Sequence, residues 1–216
     1  SEGLLQQLLR PRHLRKLLEG LRPQTPRKHL STEVFCYGVH VEGIRAMSAL
    51  PFPFPGATTI GIRSPSGVVI ASEKRLSYGY FVVSKNVRKV FKVTDRTGAA
   101  CAGMVADMQV LVRDAIAAVN LYKLEMKREP SVQTIGKILS NHLFGQRYYP
   151  YLAETIVGGV DDRGAHVLVL DPLGSLIEDD YAAVGTGAEV AIGVLAADYK
   201  PDLGEAERLD LAEAIV

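Results

Sequence analysis

The chain has no tryptophan, only two cysteines and, in 216 residues, no apolar run of the roughly 18 to 20 residues a membrane span needs. Cys36 and Cys101 cannot build a disulfide framework, and neither belongs to a Cys-x-x-Cys pair, so a reducing, cytoplasmic compartment is expected. Excess charge is also missing, because 25 Lys and Arg face 24 Asp and Glu, a formal +1. A surface built to neutralise phosphates would be far more basic, so nucleic acid is not expected as a partner. The early leucines are broken up by Arg10, Arg12, Arg15 and Lys16, which argues against a signal-peptide core, and no membrane association is expected. His13, His29, His40, His142 and His166 are dispersed without metal-ligand spacing. His40-Val41-Glu42 lacks the Pro-Cys-x-x-Cys that a zinc deaminase would need, so neither metal nor cofactor is expected. There is no P-loop and no Gly-x-Ser-x-Gly elbow. Gly185-Thr186-Gly187 precedes a helical pattern, but the third glycine is misplaced and no βαβ unit for dinucleotide binding precedes it.

What is present divides at one point. Residues 1–56 carry a formal +4 and residues 57–216 a formal −3. The boundary coincides with Pro51-Phe52-Pro53-Phe54-Pro55-Gly56, where three prolines fix φ and remove backbone donors, which reads as an extended linker. Upstream, Leu4, Leu5, Leu8, Leu9, Leu14, Leu17, Leu18 and Leu21 recur at three- and four-residue spacings among basic residues. This is an amphipathic helix interrupted near Pro11, whose apolar face needs a partner surface on its own or a neighbouring subunit. The apolar run Val34 to Val41 reads as a strand.

Downstream, Thr58 to Ile62 and Val68 to Ser72 are β-branched runs joined by Ser64-Pro65-Ser66-Gly67, a hairpin by composition. Tyr80 to Val83, Val90 to Val93 and Ala99 to Gly103 read as further short strands. Helical spacing runs from Val105 to before Pro130. A second helix, capped by Ser131, would bury Ile135, Ile138, Leu139, His142 and Leu143. Strands Glu154 to Val160 and His166 to Leu170 flank Asp161-Asp162-Arg163-Gly164, and two helices, Ala188 to Tyr199 and Glu205 onward, follow. Strands, two helices, strands, two helices suit an α+β domain with helices on two stacked, mainly antiparallel sheets better than a doubly wound sheet.

Several blocks then carry a specific resemblance. Gly56-Ala57-Thr58-Thr59-Ile60-Gly61-Ile62, Ala71-Ser72-Glu73-Lys74-Arg75, Lys85-Asn86-Val87-Arg88-Lys89-Val90-Phe91 and Ala102-Gly103-Met104-Val105-Ala106-Asp107 occur in order. Tyr148-Tyr149-Pro150-Tyr151, Val157-Gly158-Gly159-Val160-Asp161 and Gly185-Thr186-Gly187 follow them. Together they resemble the signature blocks of archaeal-type proteasome β subunits over essentially all of residues 57–216. The resemblance implies an αββα four-layer sandwich of the N-terminal nucleophile hydrolases. It also implies a propeptide over residues 1–56 and a threonine, freed by cleavage after Gly56, that hydrolyses peptide bonds.

A hydroxyl needs a base at neutral pH, and a free α-amine, with a reference pKa of roughly 7.7 to 8.0, suits that task. On the resemblance, Lys89 is the ammonium that favours the alkoxide, and Glu73 is the carboxylate that holds it, with Arg75 beside Glu73. Gly103 supplies the oxyanion-hole N–H, and Thr186 is a hydroxyl near the nucleophile's amine. Leu76, Ser77, Val87, Phe91, Cys101 and Val105 match the substrate pocket, which implies a preference for apolar P1 residues. The implied partners are α subunits and other β subunits in stacked heptameric rings, with unfolded polypeptide as substrate.

The nucleophile position itself holds Ala57, which has no oxygen. Making Thr58 the nucleophile would throw Glu73 and Lys89 one residue out of register and turn strand side chains to the other face. Two explanations stand: an engineered Thr to Ala change that traps the precursor, or a non-catalytic structural subunit of the ring. Retention of Glu73, Lys89 and Gly103 together favours the first, since drift has no reason to spare all three. The family also continues some tens of residues past Val216, with final strands and an Asp and a Ser near the nucleophile.

Overall fold

A computed structural model of the chain describes residues 35–39, 56–78 and 80–216. The leucine-rich helix and the proline linker lie outside the described residues. The strand expected around Val34 to Val41 is β1 (Phe35–Val39).

The hairpin is built as its composition suggests. Strands β2 (Thr59–Ser64) and β3 (Gly67–Glu73) pair antiparallel from Thr59↔Ser72 to Ser64↔Gly67. Gly67 leaves the turn at φ 147°, a conformation that suits glycine. β1 adds parallel to the outer edge of β3, with Phe35 opposite Val69. After β4 (Leu76–Tyr78) and β5 (Phe81–Ser84), a small hairpin of their own, come β6 (Val90–Lys92) and β7 (Thr97–Gly103). Helix α1 (Val105–Met126) and helix α2 (Val132–Gly145) follow. Then come β8 (Ala153–Asp161), β9 (Gly164–Leu170), β10 (Leu176–Asp179) and β11 (Tyr181–Val184), and finally helices α3 (Ala188–Asp198) and α4 (Glu205–Ile215). Of these, β4, β10 and β11 were not anticipated from sequence.

Among the described residues the two main sheets have orders β1-β3-β2-β11 and β10-β9-β8-β7-β6. Apart from β1, every pairing in them is antiparallel. The central strands β2, β3, β7, β8 and β9 are largely buried on both faces because both faces are covered. On β3, Val68 and Ile70 point between the sheets, while Val69 and Ala71 point to the helices on the other side. Three cores result. Met108, Leu111 and Val112 of α1 and Ile135, Leu139 and Leu143 of α2 pack on Val157, Leu168 and Leu170. Val68, Ile70, Ala100, Ala102, Ile156 and Val167 fill the space between sheets. Ile60, Ile62, Val69 and Ala71 meet Ala191 and Leu195 of α3 and Ala212 of α4. The architecture is the four-layer αββα sandwich expected.

Helix ends follow local chemistry. Ser131 Oγ accepts the Thr134 N–H at 3.1 Å, and the Asp161 carboxylate accepts the Val132 N–H at 3.0 Å, so α2 begins with both a cap and an anion at its positive end. His142, expected in the buried stripe of α2, is half-buried and stacks on Tyr151. Buried His166 spans two carboxylates, with Nδ1 2.6 Å from Glu178 Oε1 and Nε2 3.2 Å from Asp161 Oδ1. Glu178 also accepts from Gln133 Nε2 at 2.6 Å, tying β10 to the start of α2.

Two outcomes follow. A Cβ on Gly158 would stand 2.5 Å from Ile70 Cγ2 and 2.8 Å from Val68 Cγ1. Gly158→Val should therefore overpack the inter-sheet layer and cost about 1–3 kcal/mol, read as a lower urea midpoint at unchanged slope. The hydrogen bond with His166 is the largest influence holding Glu178 below its ordinary 4.5. Its stabilisation is thus present above that value and is lost as pH falls through the lowered one. In urea titrations across the acid range, the stability difference between the parent and Glu178→Gln should shrink as pH drops.

Candidate active site

The site grows from the short stretch before β2. Gly56 is half-buried and Ala57 is 4% exposed, at one end of the inter-sheet layer, in the same core as Ala102 and Val184. The Thr58 carbonyl accepts the Glu73 N–H at 3.2 Å, so the end of β3 is bonded one residue from Ala57. On the next pair of β2, Thr59 Oγ1 lies 2.7 Å from Ser72 Oγ and donates to the Cys101 carbonyl at 3.3 Å, linking the two sheets.

Glu73 and Lys89 form an ion pair between Oε1 and Nζ, with side chains 15% and 2% exposed. Lys89 Nζ also donates to the Arg75 carbonyl at 2.6 Å, and Glu73 Oε2 accepts the Arg75 N–H. Arg75 therefore braces both partners through its main chain. Lys89 is in turn fixed on the second sheet, since its carbonyl accepts the Cys101 N–H at 2.9 Å. Burial pushes the Lys89 ammonium below the ordinary lysine value, and the hydrogen bond and charge of Glu73 oppose that shift. The resemblance pointed to Ala57, Glu73, Lys89 and Arg75, and this chain of bonds runs through the last three and ends on Thr58, the residue after Ala57.

The remaining residues gather from two junctions. Gly103 ends β7 at φ 131°, and a side chain there would run into the Leu152 carbonyl and Ala153. Gly185-Thr186-Gly187 joins β11 to α3. The Gly187 N–H donates to the Ala57 carbonyl at 3.4 Å, and Gly185 packs so closely on Ala57 that a Cβ would overlap its carbonyl oxygen. Any side chain at Gly56 would overlap the Thr186 hydroxyl. Cys101 and Phe91 belong to the core under α1 and α2, and Cys101 is fully buried there with its thiol pushed up to about 12 by desolvation. Leu76, Ser77, Val87 and Val105 are half-buried, with Val87 N–H held by the Lys74 carbonyl at 2.9 Å. One contact was not foreseen. Glu154 on β8 accepts the Gly185 N–H at 2.7 Å, a bond across 31 residues that leaves no local trace in the sequence.

A buried cation whose carboxylate partner is bonded to the residue after Ala57, with the Gly187 N–H on the Ala57 carbonyl and the Thr186 hydroxyl beside Gly56, places groups able to stabilise negative charge around this junction. Comparison with known proteins shows the family. The family described as Proteasome subunit matches residues 54–216. The Proteasome subunit beta 2 of Pyrobaculum calidifontis is 51% identical over 157 residues, 73% of this chain and 77% of that protein. The Proteasome subunit beta 1 of Nitrosopumilus maritimus is 49% identical over 162 residues, 75% and 81% of the two chains. The Proteasome subunit beta 1 of Hyperthermus butylicus is 47% identical over 162 residues, 74% and 79%.

The ion pair sets a stability test. Glu73→Ala strands a buried ammonium and should cost about 3 kcal/mol, whereas adding Lys89→Met to it should recover much of that loss. Urea unfolding of the two single variants and the double variant measures the coupling.

Proposed function

Because the chain belongs to the proteasome subunit family and is similar throughout the matched region to β subunits, we propose that it is a β-type threonine endopeptidase subunit of a 20S proteasome. On this reading the chain is an uncleaved precursor, residues 1–56 are its propeptide and 57–216 its catalytic domain. It works in the cytoplasm on unfolded polypeptide, within stacked heptameric rings of α and β subunits. The observation that carries the reading is the buried Lys89–Glu73 pair, joined through the Glu73 main chain to the residue after Ala57.

The chemistry follows from what stands at residue 57. Ala57 has no hydroxyl, so the peptide bond after Gly56 stays whole. With threonine there, Oγ attacks the Gly56 carbonyl, and collapse of the tetrahedral adduct breaks the C–N bond and moves the acyl group from nitrogen to oxygen. Water hydrolyses the ester, leaving a carboxylate on Gly56 and a free α-amine on residue 57. That amine then takes the hydroxyl proton when a substrate peptide is attacked. Lys89, oriented by Glu73 and the Arg75 main chain, favours the alkoxide electrostatically. The Gly103 N–H receives the oxyanion, and Thr186 hydrogen-bonds the amine. The absence of a side chain at Gly56 lets the chain pass against Thr186. Leu76, Ser77, Val87, Phe91, Cys101 and Val105 form the pocket beside the nucleophile. Cys101 contributes there as a small neutral side chain, and apolar P1 residues are preferred.

Restoring Ala57→Thr in the protein assembled with its α partners should release residues 1–56 and create activity on fluorogenic peptides with apolar P1 residues. Lys89→Ala in that background should remove both events together, since one electrostatic support serves both attacks. Mass spectrometry of the N-terminus and the peptide assay decide the matter. An assembled Ala57→Thr protein that keeps its propeptide and stays inert is a structural subunit of the ring.

A further inference from the structure

We propose that Glu154 is a positioning residue for the chemistry at residue 57: its carboxylate, reaching from β8 to the Gly185 N–H, clasps the loop whose Thr186 and Gly187 grip Gly56 and Ala57. The proposal rests on the reading of residue 57 as the reacting position.

The loop needs a clasp. It leaves β11, the last strand of its sheet, whose ladder partner is β2. Val184 is the final residue paired in that ladder, opposite Thr59, and the chain then turns through Gly185 at φ 93° before α3 begins at Ala188. The Gly185 N–H is thus outside the ladder, and Glu154 Oε2 accepts it at 2.7 Å. Glu154 belongs to the other sheet, opposite Ala102 and next to the pair Gly103↔Ala153. One side chain therefore ties the Gly185 loop to the strand pair that ends at Gly103.

The packing makes the loop's position consequential. A Cβ at Gly185 would overlap the Ala57 carbonyl and stand 2.9 Å from Ala102 Cβ, and one at Gly187 would overlap the Thr58 hydroxyl. With so little clearance, a displaced Gly185 moves both the Thr186 hydroxyl and the Gly187 N–H relative to residue 57. Glu154 is exposed on a strand otherwise buried from Ala153 to Val160. Its solvated carboxylate contributes little to global stability, so losing it acts on the local order of the loop. The role needs an acceptor at the end of a three-carbon reach rather than a negative charge. Gln supplies that, Asp does not, and Ala supplies nothing.

Two measurements test this. In the chain as it stands, with Ala57, amide hydrogen exchange at Gly185 and Gly187 should quicken about ten-fold in Glu154→Ala and Glu154→Asp and stay near the parent rate in Glu154→Gln. In the assembled Ala57→Thr protein, Glu154→Ala should lower propeptide release and kcat about ten-fold at nearly constant KM, with Glu154→Gln restoring both. Unchanged exchange in Glu154→Ala overturns the clasp, as does a Gln variant as impaired as Ala. If the Ala57→Thr parent is itself inert, the peptidase reading fails and exchange alone judges the clasp. Normal turnover by Glu154→Ala beside an active parent refutes the positioning role while leaving the peptidase reading intact.

Discussion

Two sheets can lie face to face here only because the layer between them is lined with small residues where they come closest. Gly61 leaves room for Ile156 and Val167, Gly158 leaves room for Val68 and Ile70, and Ala100, Ala102 and Ala182 fill positions where larger side chains would force the sheets apart. That close approach positions everything else. Ala57, Ala102 and Gly185 meet at one end of the layer, and the inter-sheet bonds from Thr59 to Cys101 and from Glu154 to Gly185 are short enough to form. A wider spacing would leave a chain junction without a site.

Among the described residues, the charged groups buried in this interior come with partners. Lys89 is met by Glu73 and the Arg75 carbonyl, and His166 by Asp161 and Glu178. Arg208, 2% exposed, donates to the Gly67 carbonyl and to Ser66 Oγ, fastening α4 over the turn of the first hairpin. Burial lowers the Arg208 pKa, and the lysine is pushed the same way against the pull of its carboxylate. Lys89 and Arg208 thereby tie together elements that the strand ladders leave independent, whereas His166 adds side-chain bonds between strands already paired with its own.

Much of this was legible in the sequence where local chemistry decides local structure. The β-branched runs around Ser64-Pro65-Ser66-Gly67 specify β2 and β3, Ser131 marks the start of α2, and the order of strands and helices points to two stacked sheets between helices. Strand β4 was missed because it has three residues, and β10 because Leu-Ile-Glu-Asp is mostly exposed and acidic. β11 was missed because its middle residues, Ala182 and Ala183, have weak strand propensity and its burial comes from β2 and the opposite sheet. The residues around Ala57 were legible through resemblance, not periodicity, since a lone Glu73 or Lys89 reads as surface charge until the fold buries it. Glu154 was invisible, because nothing near it in the chain reports that its partner lies on another sheet.

The position of β2 has a mechanical consequence. It runs between β3 and β11, hydrogen-bonded along both edges, with Thr59 already paired to Ser72 on one side and Val184 on the other. A chain break just ahead of such a strand creates an end with almost no free length. The loose tail that fraying requires is missing, and the conformational entropy usually released at a new terminus is largely withheld. On the proposed reading, a cut between Gly56 and Ala57 would leave its downstream side anchored to within two residues of the new end, like a beam sawn flush with the wall that holds it.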